Sequence, residues 1–269
     1  MANMRIYSQN ILNTTTMLYA RPTQSSDWTS TCYNYFDRKQ TTLGTITWTS
    51  SSSPTYATMT ITFTSSVIVD AIALKNVTST NARILVQKYS GGTYTTLGLS
   101  GFGTTSAYFN NPSGDYLLII NSTTSISSAI LVYAIPLTAT TASISIGDIY
   151  VLELQHEFTD NPAVGDYKPK FDRTEYTHTM SDGGTATYVI QDNFQTEIKL
   201  KYVSASDRNA LKTIYQTQEP IVFTPFPTGT GWDGEIYEVN WVEDFDLSYT
   251  DNYTGNGYNI KMKLKETPK

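Results

Sequence analysis

The chain has one cysteine, two histidines and no glutamate before Glu153 in 269 residues. A lone Cys32 excludes an intrachain disulfide, so nothing here calls for an oxidising compartment. With only His156 and His178, a zinc site or a His-based triad has little to draw on. His156-Glu157 lacks the second histidine of a helical zinc motif and sits in a strand-like segment. A Gly-rich Lys loop, a dinucleotide fingerprint and a nucleophile elbow are all missing. No apolar run comes near the length that spans a bilayer, residues 116–120 included. The start, Met1-Ala2-Asn3-Met4-Arg5-Ile6, has no apolar core of a secretory signal, which predicts a soluble chain made in a cytosol. A sequence pI near 4.9 speaks against nucleic acid as the main partner. These absences predict a protein that is not an enzyme and uses no cofactor and no metal.

What is present is unevenly spread. Residues 1–137 carry seven Lys/Arg and four Asp, whereas residues 138–269 carry eleven Lys/Arg and twenty Asp/Glu. So abrupt a change predicts two separately built domains, 1–137 and 138–269. Twenty tyrosines, ten prolines and sixteen glycines fit strands joined by many turns.

In the first half, residues 58–64 alternate polar and apolar, a half-buried strand, and 67–74 read as one more continuous apolar strand. Residues 83–89 run into the turn Ser90-Gly91-Gly92-Thr93 and return over 94–97. Asn111-Pro112-Ser113-Gly114-Asp115 is another turn, and 129–136 close the domain. Short strands at this spacing predict a β-sandwich. In the second half, 148–155 read as a strand, and Ser181-Asp182-Gly183-Gly184 between 174–180 and 185–190 is a hairpin signal. Residues 197–202 alternate Ile198, Leu200 and Tyr202 against Glu197, Lys199 and Lys201. One helix is expected, capped by Ser204 or Ser206 and carrying the stripe Ala210, Leu211, Ile214, Tyr215. Strands at 221–226, 235–249 and 258–264 finish the chain, the last with Tyr258, Ile260, Met262 and Leu264 inward. The predicted class is mainly β: a jelly-roll sandwich followed by an α+β domain, a largely antiparallel sheet with one short helix.

Three residue groups are candidate sites. Asp244 and Asp246 share a strand face with Asp251 beyond, but their spacing matches no calcium loop, and a solvated face explains them. Trp28, Tyr33 and Tyr35, with Phe36, lie in an irregular stretch where ring faces could stack on a sugar; the alternative is that Trp28 and Phe36 plug the end of the sandwich. Lys261, Lys263 and Lys265 form a basic strand face. It could meet Glu235, Glu238, Glu243 and Asp244 of a neighbouring copy, or both could be solvated faces.

Two resemblances add to this. Tyr35-Phe36-Asp37-Arg38, the alternating 59–63 and Asp70-Ala71-Ile72-Ala73-Leu74-Lys75-Asn76 resemble a galactose-binding-like, discoidin-type jelly roll. Ile146-Gly147-Asp148-Ile149-Tyr150, the 181–184 turn, 199–203, the helix over 207–215 and the strand at 220–225 resemble, in that order, distal-tail and baseplate-hub proteins of tailed bacteriophages. The second resemblance implies a structural, non-enzymatic virion subunit, assembled in the host cytoplasm into a hexameric or trimeric ring around the tail channel. Its partners would be its own copies and other tail proteins. The first implies, as an alternative, an adhesion module that recognises host-surface glycans.

Overall fold

A computed structural model describes residues 3–8, 11, 21–24, 43–48, 57–96, 109, 110, 112–120, 126–137, 142–163, 165–225, 235–249 and 257–266. The chain opens with β1 (Arg5–Tyr7), β2 (Arg21–Gln24), β3 (Gly44–Trp48), β4 (Ala57–Ile68) and β5 (Ala71–Thr80). It continues through β6 (Ala82–Ser90), β7 (Thr93–Thr96), β8 (Phe109–Asn110), β9 (Gly114–Ile119) and β10 (Ile126–Pro136). Then come β11 (Ala142–Ile146), β12 (Asp148–Leu152), β13 (Leu154–Glu157), β14 (Tyr167–Thr179) and β15 (Thr185–Val203). The helix α1 (Ala205–Thr217) precedes β16 (Ile221–Thr224), β17 (Tyr237–Trp241), β18 (Asp246–Tyr249) and β19 (Tyr258–Glu266). The protein is mainly β with one helix among the described residues, as the turn spacing predicts.

Two sheets make the sandwich. One runs β2-β4-β10-β6-β7 with β8 on β6, the other β12-β5-β11-β3 with β9 on β5. Alternate residues of β4, β6 and β10 (Met59, Ile61, Ile84, Val86, Ile130, Val132) meet Ile72, Leu74, Ile144, Ile146, Ile149 and Val151 in one core. The segment read as a single strand over 67–74 is two. It breaks at Asp70, whose backbone N–H donates to the Leu152 carbonyl and whose carboxylate accepts from Leu154 N–H, both at 2.9 Å.

The third sheet runs β13-β1-β16-β17-β19-β15-β14, with β18 also on β19. Its apolar side packs α1 through Leu211 and Ile214 against Ile198, Phe223, Ile260, Met262 and Leu264. The helix starts where Ser204 Oγ accepts from Asp207 N–H at 3.0 Å, one of the two caps expected.

Strand pairing does not follow the change in charge at 137/138. β11 and β12 pair with β5 in the sandwich, whereas β1, near the N-terminus, lies between β13 and β16 of the third sheet. The segment 148–155, read as one strand, turns at Glu153 and passes from sandwich to third sheet there. The odd-numbered and even-numbered residues of β12 are both buried for this reason. Ile149 and Val151 enter the sandwich core, while Tyr150 and Leu152 join Tyr7, Ala71, Ala73, Leu117, Val222 and Ile236 in a second apolar layer. That layer, with Lys75 Nζ donating to the Ile236 carbonyl at 3.0 Å, holds the two parts together.

Two further expectations change. The strand over 235–249 is β17 and β18, both on the same side of β19, with Val242 N–H donating to Lys263 between them. Tyr202 does not face the core. A register shift between Leu200 and Val203 adds a residue to β15, Tyr202 takes φ +58°, and its ring turns to solvent.

Candidate functional site

The hairpin β14–β15 is longer than its turn signal suggests. Register runs from Tyr167 opposite Ile198 to Thr179 opposite Thr185, with a bulge at Thr174/Glu175. The turn is the one expected: Gly183 has φ +83°, Met180 N–H donates to Gly184 O at 2.7 Å, and Asp182 Oδ1 accepts from Gly184 N–H at 2.8 Å. β19 supports β15 only from Gln195 onward. Beyond Asp172 and Asn193 no other strand among the described residues pairs with the two, which form a ribbon on the order of 25 Å long, at about 3.4 Å per residue.

At the root of this arm Phe194 is buried. Its ring stacks on Tyr237 with centroids 3.6 Å apart and meets the edge of Phe171 at 5.7 Å. Its backbone N–H donates to Glu266 Oε2 at 2.9 Å. Outward from there Phe171 is 59% exposed and Tyr176 57%, with Met180 exposed at the tip. Lys170 pairs with Asp172, and Arg173 lies 3.9 Å from Glu175.

The outer face of the same sheet carries the expected lysines, and Lys261 and Lys263 find their partners in the same chain. Lys261 reaches Glu243 at 3.2 Å and Glu197 at 3.5 Å, Lys263 reaches Glu243 at 2.9 Å, and Lys199 reaches Glu197 at 3.3 Å. Lys199 lies directly opposite Lys261, a like-charge pairing that the carboxylates of Glu197 and Glu243 offset. Lys263 and Lys261 hold the Glu243 carboxyl below the usual carboxylate range, and the Glu243 carboxylate in turn raises Lys261. Desolvation works against ionisation of Glu197, yet Lys199 and Lys261 hold its carboxyl low.

The expected acidic patch is therefore not one surface. Glu243 belongs to the lysine network, and Glu238 is buried, with Tyr150 OH 3.4 Å from its Oε2 at the junction with the sandwich. Glu235 and Asp244 are exposed, as is Lys265. Asp244 borders a cavity of about 570 Å³ at the end of α1, beside Tyr215 and Trp241. Phe245 is half-buried against that aromatic pair, but Leu247 is exposed rather than in the core. Among the described residues no group of three His, Cys, Asp or Glu side chains is placed to hold a metal ion. Trp28, Tyr33, Tyr35, Cys32 and Asp251 lie outside the described residues.

The exposed arm is the feature that sequence reasoning missed. A signal existed in the near-absence of apolar alternation over residues 172–187, which is unlike the core-facing pattern of 194–200.

No family model matches the chain, and no curated protein matches it. Solved structures similar to it include carbohydrate-binding modules and GH29 fucosidases. One is the family 32 module of C. perfringens NanJ in complex with galactose, at 12% identity over 56% of this chain and 99% of that one, with TM-score 0.40. Another is the GH31 module CBM32-2 bound to GalNAc, at 15% identity over 50% and 99%, with TM-score 0.36. A third is chitosan-binding module 1 of a chitosanase/glucanase from Paenibacillus sp. IK-5, at 15% over 54% and 99%, with TM-score 0.38. At these scores the likeness assigns no residue and no activity to this chain.

Proposed function

We propose that this chain is a non-catalytic structural subunit, of the tail-tip or baseplate kind, that joins copies of itself through its third sheet. The arm carries this reading. A two-stranded ribbon is marginally stable alone in water, and strands need a third partner or a packed face to be secure. The arm exposes Phe171, Tyr176 and Met180, and among the described residues no strand pairs with the outer edge of β14. A neighbouring copy that pairs with that edge supplies the missing strand and covers the rings. The lysine network is no longer needed for this contact, because its charges are met within the sheet. The test is a variant that joins Asp172 to Asn193 through Asn-Gly and so removes the ribbon. It should keep the thermal transition of the full chain and lose its assembly in electron micrographs. An unchanged assembly would sink the proposal.

A second reading concerns the sandwich, which would recognise a host-surface glycan. It rests on Trp28, Tyr33 and Tyr35, whose rings suit stacking on a sugar face. Galactose and GalNAc, the ligands named for the similar modules, are the sugars to test first. Binding lost in Trp28→Ala but kept in the arm-truncated variant supports this reading, and binding untouched by Trp28→Ala refutes it. The two readings can hold together, since they use different parts of the chain.

A further inference from the structure

The cavity of about 570 Å³ at the C-terminal end of α1 plays no part in the proposed assembly. Three independent features of its lining favour the same sign of ligand. The first is aromatic. Tyr215 and Trp241 line it with ring centroids 5.5 Å apart at 70°, and Phe245 closes the group at 5.8 Å from Tyr215 and 5.7 Å from Trp241. All three residues are half-buried, neither sealed in the core nor fully in solvent. The faces of such rings are negative and attract cations. Next, Glu219, Glu243 and Asp244 line the cavity, and among the described lining residues there is no Lys, Arg or His. Finally, Ile214 and Tyr215 belong to the last turn of α1 and Gln218 is its C-cap, so the negative end of the helix dipole lies at the cavity, and that turn has no basic residue to offset it.

The charges decide what fits. Glu243 is already met by Lys261 at 3.2 Å and Lys263 at 2.9 Å, so Glu219 and Asp244, both exposed, give the cavity its charge. The helix end keeps its partial negative charge, because its caps are neutral donors. Gln218 N–H donates to the Tyr215 carbonyl at 3.3 Å, and Thr217 Oγ1 donates to the Ile214 carbonyl at 2.7 Å. An anion therefore meets like charge. A metal ion has too few ligands, since no three His, Cys, Asp or Glu side chains converge among the described residues. An organic cation gains from rings, carboxylates and helix end together. Of these cations a guanidinium suits the lining best: its plane stacks on aromatic faces, and its fork of N–H donors matches carboxylates. A primary ammonium is compact and holds its water more strongly, and a quaternary ammonium has no N–H for the carboxylates.

We propose that this cavity binds a guanidinium group, its plane against the Tyr215 and Trp241 rings and its N–H donors on the carboxylates of Asp244 and Glu219. Free arginine and an arginine side chain of a polypeptide present the same chemistry there. The site uses no residue of the arm or of the Trp28 stretch, so it stands or falls apart from both readings above.

Tryptophan fluorescence of the full chain tests this, because Trp241, one of four tryptophans, lines the cavity. N-acetylarginine amide and free arginine are titrated separately at low salt, with N-acetylcitrulline amide as the neutral isostere and calcium as a further control. At least one of the two arginine compounds should change the emission saturably, with a Kd on the order of millimolar for so small a ligand. Tighter binding of the amide than of free arginine points to a polypeptide source and the reverse to the amino acid; either order upholds the site. Trp241→Phe keeps an aromatic ring and should abolish the change. Asp244→Asn combined with Glu219→Gln alters only exposed side chains. It should keep the thermal transition of the parent and weaken binding at least tenfold. Silence with both arginine compounds overturns the proposal. So does an equal response to the citrulline compound, a response to calcium alone, a change that survives Trp241→Phe, or an undiminished affinity in the doubly substituted chain.

Discussion

Replacing Phe194 with alanine measures how the arm is anchored. The ring is 1% exposed, stacks on Tyr237 at 3.6 Å, lies 6.3 Å from Phe223 and is met edge-on by Phe171 at 5.7 Å. Truncation of a ring buried this fully costs about 3–5 kcal/mol, of which aromatic pairing supplies about 0.5–1.5. That is a large share of the roughly 5–15 kcal/mol that separates folded from unfolded domains. With a urea m-value of about 2 kcal/mol/M, the midpoint should fall by about 1.5–2.5 M. Phe171 touches the same cluster but is 59% exposed, so Phe171→Ala should cost about 1 kcal/mol or less and move the midpoint by about 0.5 M at most. The assay is urea unfolding followed by far-UV circular dichroism and tryptophan fluorescence, with both variants beside the parent. A loss under about 1 kcal/mol for Phe194→Ala, or equal losses for the two variants, would refute the claim that Phe194 is the anchor.

Other expected outcomes follow from the same coordinates. Burial pushes the Tyr7 phenol up to about 12, against an ordinary value near 10, so its neutral form favours the fold. That stability is fully present below pH 10 and lost as pH rises toward 12; in an alkaline titration at 295 nm, Tyr7→Phe should remove one late-titrating tyrosine, and an unchanged late phase would contradict this. Ser204→Ala removes the acceptor of the Asp207 N–H and should lower stability by about 1 kcal/mol in urea unfolding, with Ser206→Ala much milder. The Glu243 carboxyl is held low by Lys263 and Lys261, so its contribution is present at neutral pH and lost as pH falls through its folded value. Thermal melts from pH 6 to pH 2 should therefore show a shallower acid-side decline for Glu243→Gln; parallel curves would rule out the network's role.

Much of the local structure was legible because it rests on short-range chemistry. The Ser181-Asp182-Gly183-Gly184 turn, the Ser204 cap and the alternation of Ile260, Met262 and Leu264 each depend on neighbours a few residues away. What was missed depends on distant partners. Nothing in Arg5-Ile6-Tyr7 announces a place between β13 and β16, because the identity of the flanking strands leaves no mark in periodicity. Alternation of Ile144, Ile146, Ile149 and Val151 signals burial but not which sheet receives it, and β11 and β12 pair with β5 although they follow the shift in charge at 137/138. Charge misled again at Glu238, which composition puts on a surface and packing puts at the junction beside Tyr150. Tyr202 illustrates the same limit at one residue. A single added residue in β15 reverses its side, and no propensity encodes that bulge.

In the proposed assembly, another copy of this chain covers the arm of β14 and β15. Sedimentation velocity of the purified 269-residue chain at several concentrations, in low and in physiological salt, is the decisive measurement. A discrete multiple of the 30.0 kDa chain that resists salt is expected, because the proposed contact is apolar and strand-mediated. A species that stays at the monomer mass at the highest concentration and in both salts would contradict it.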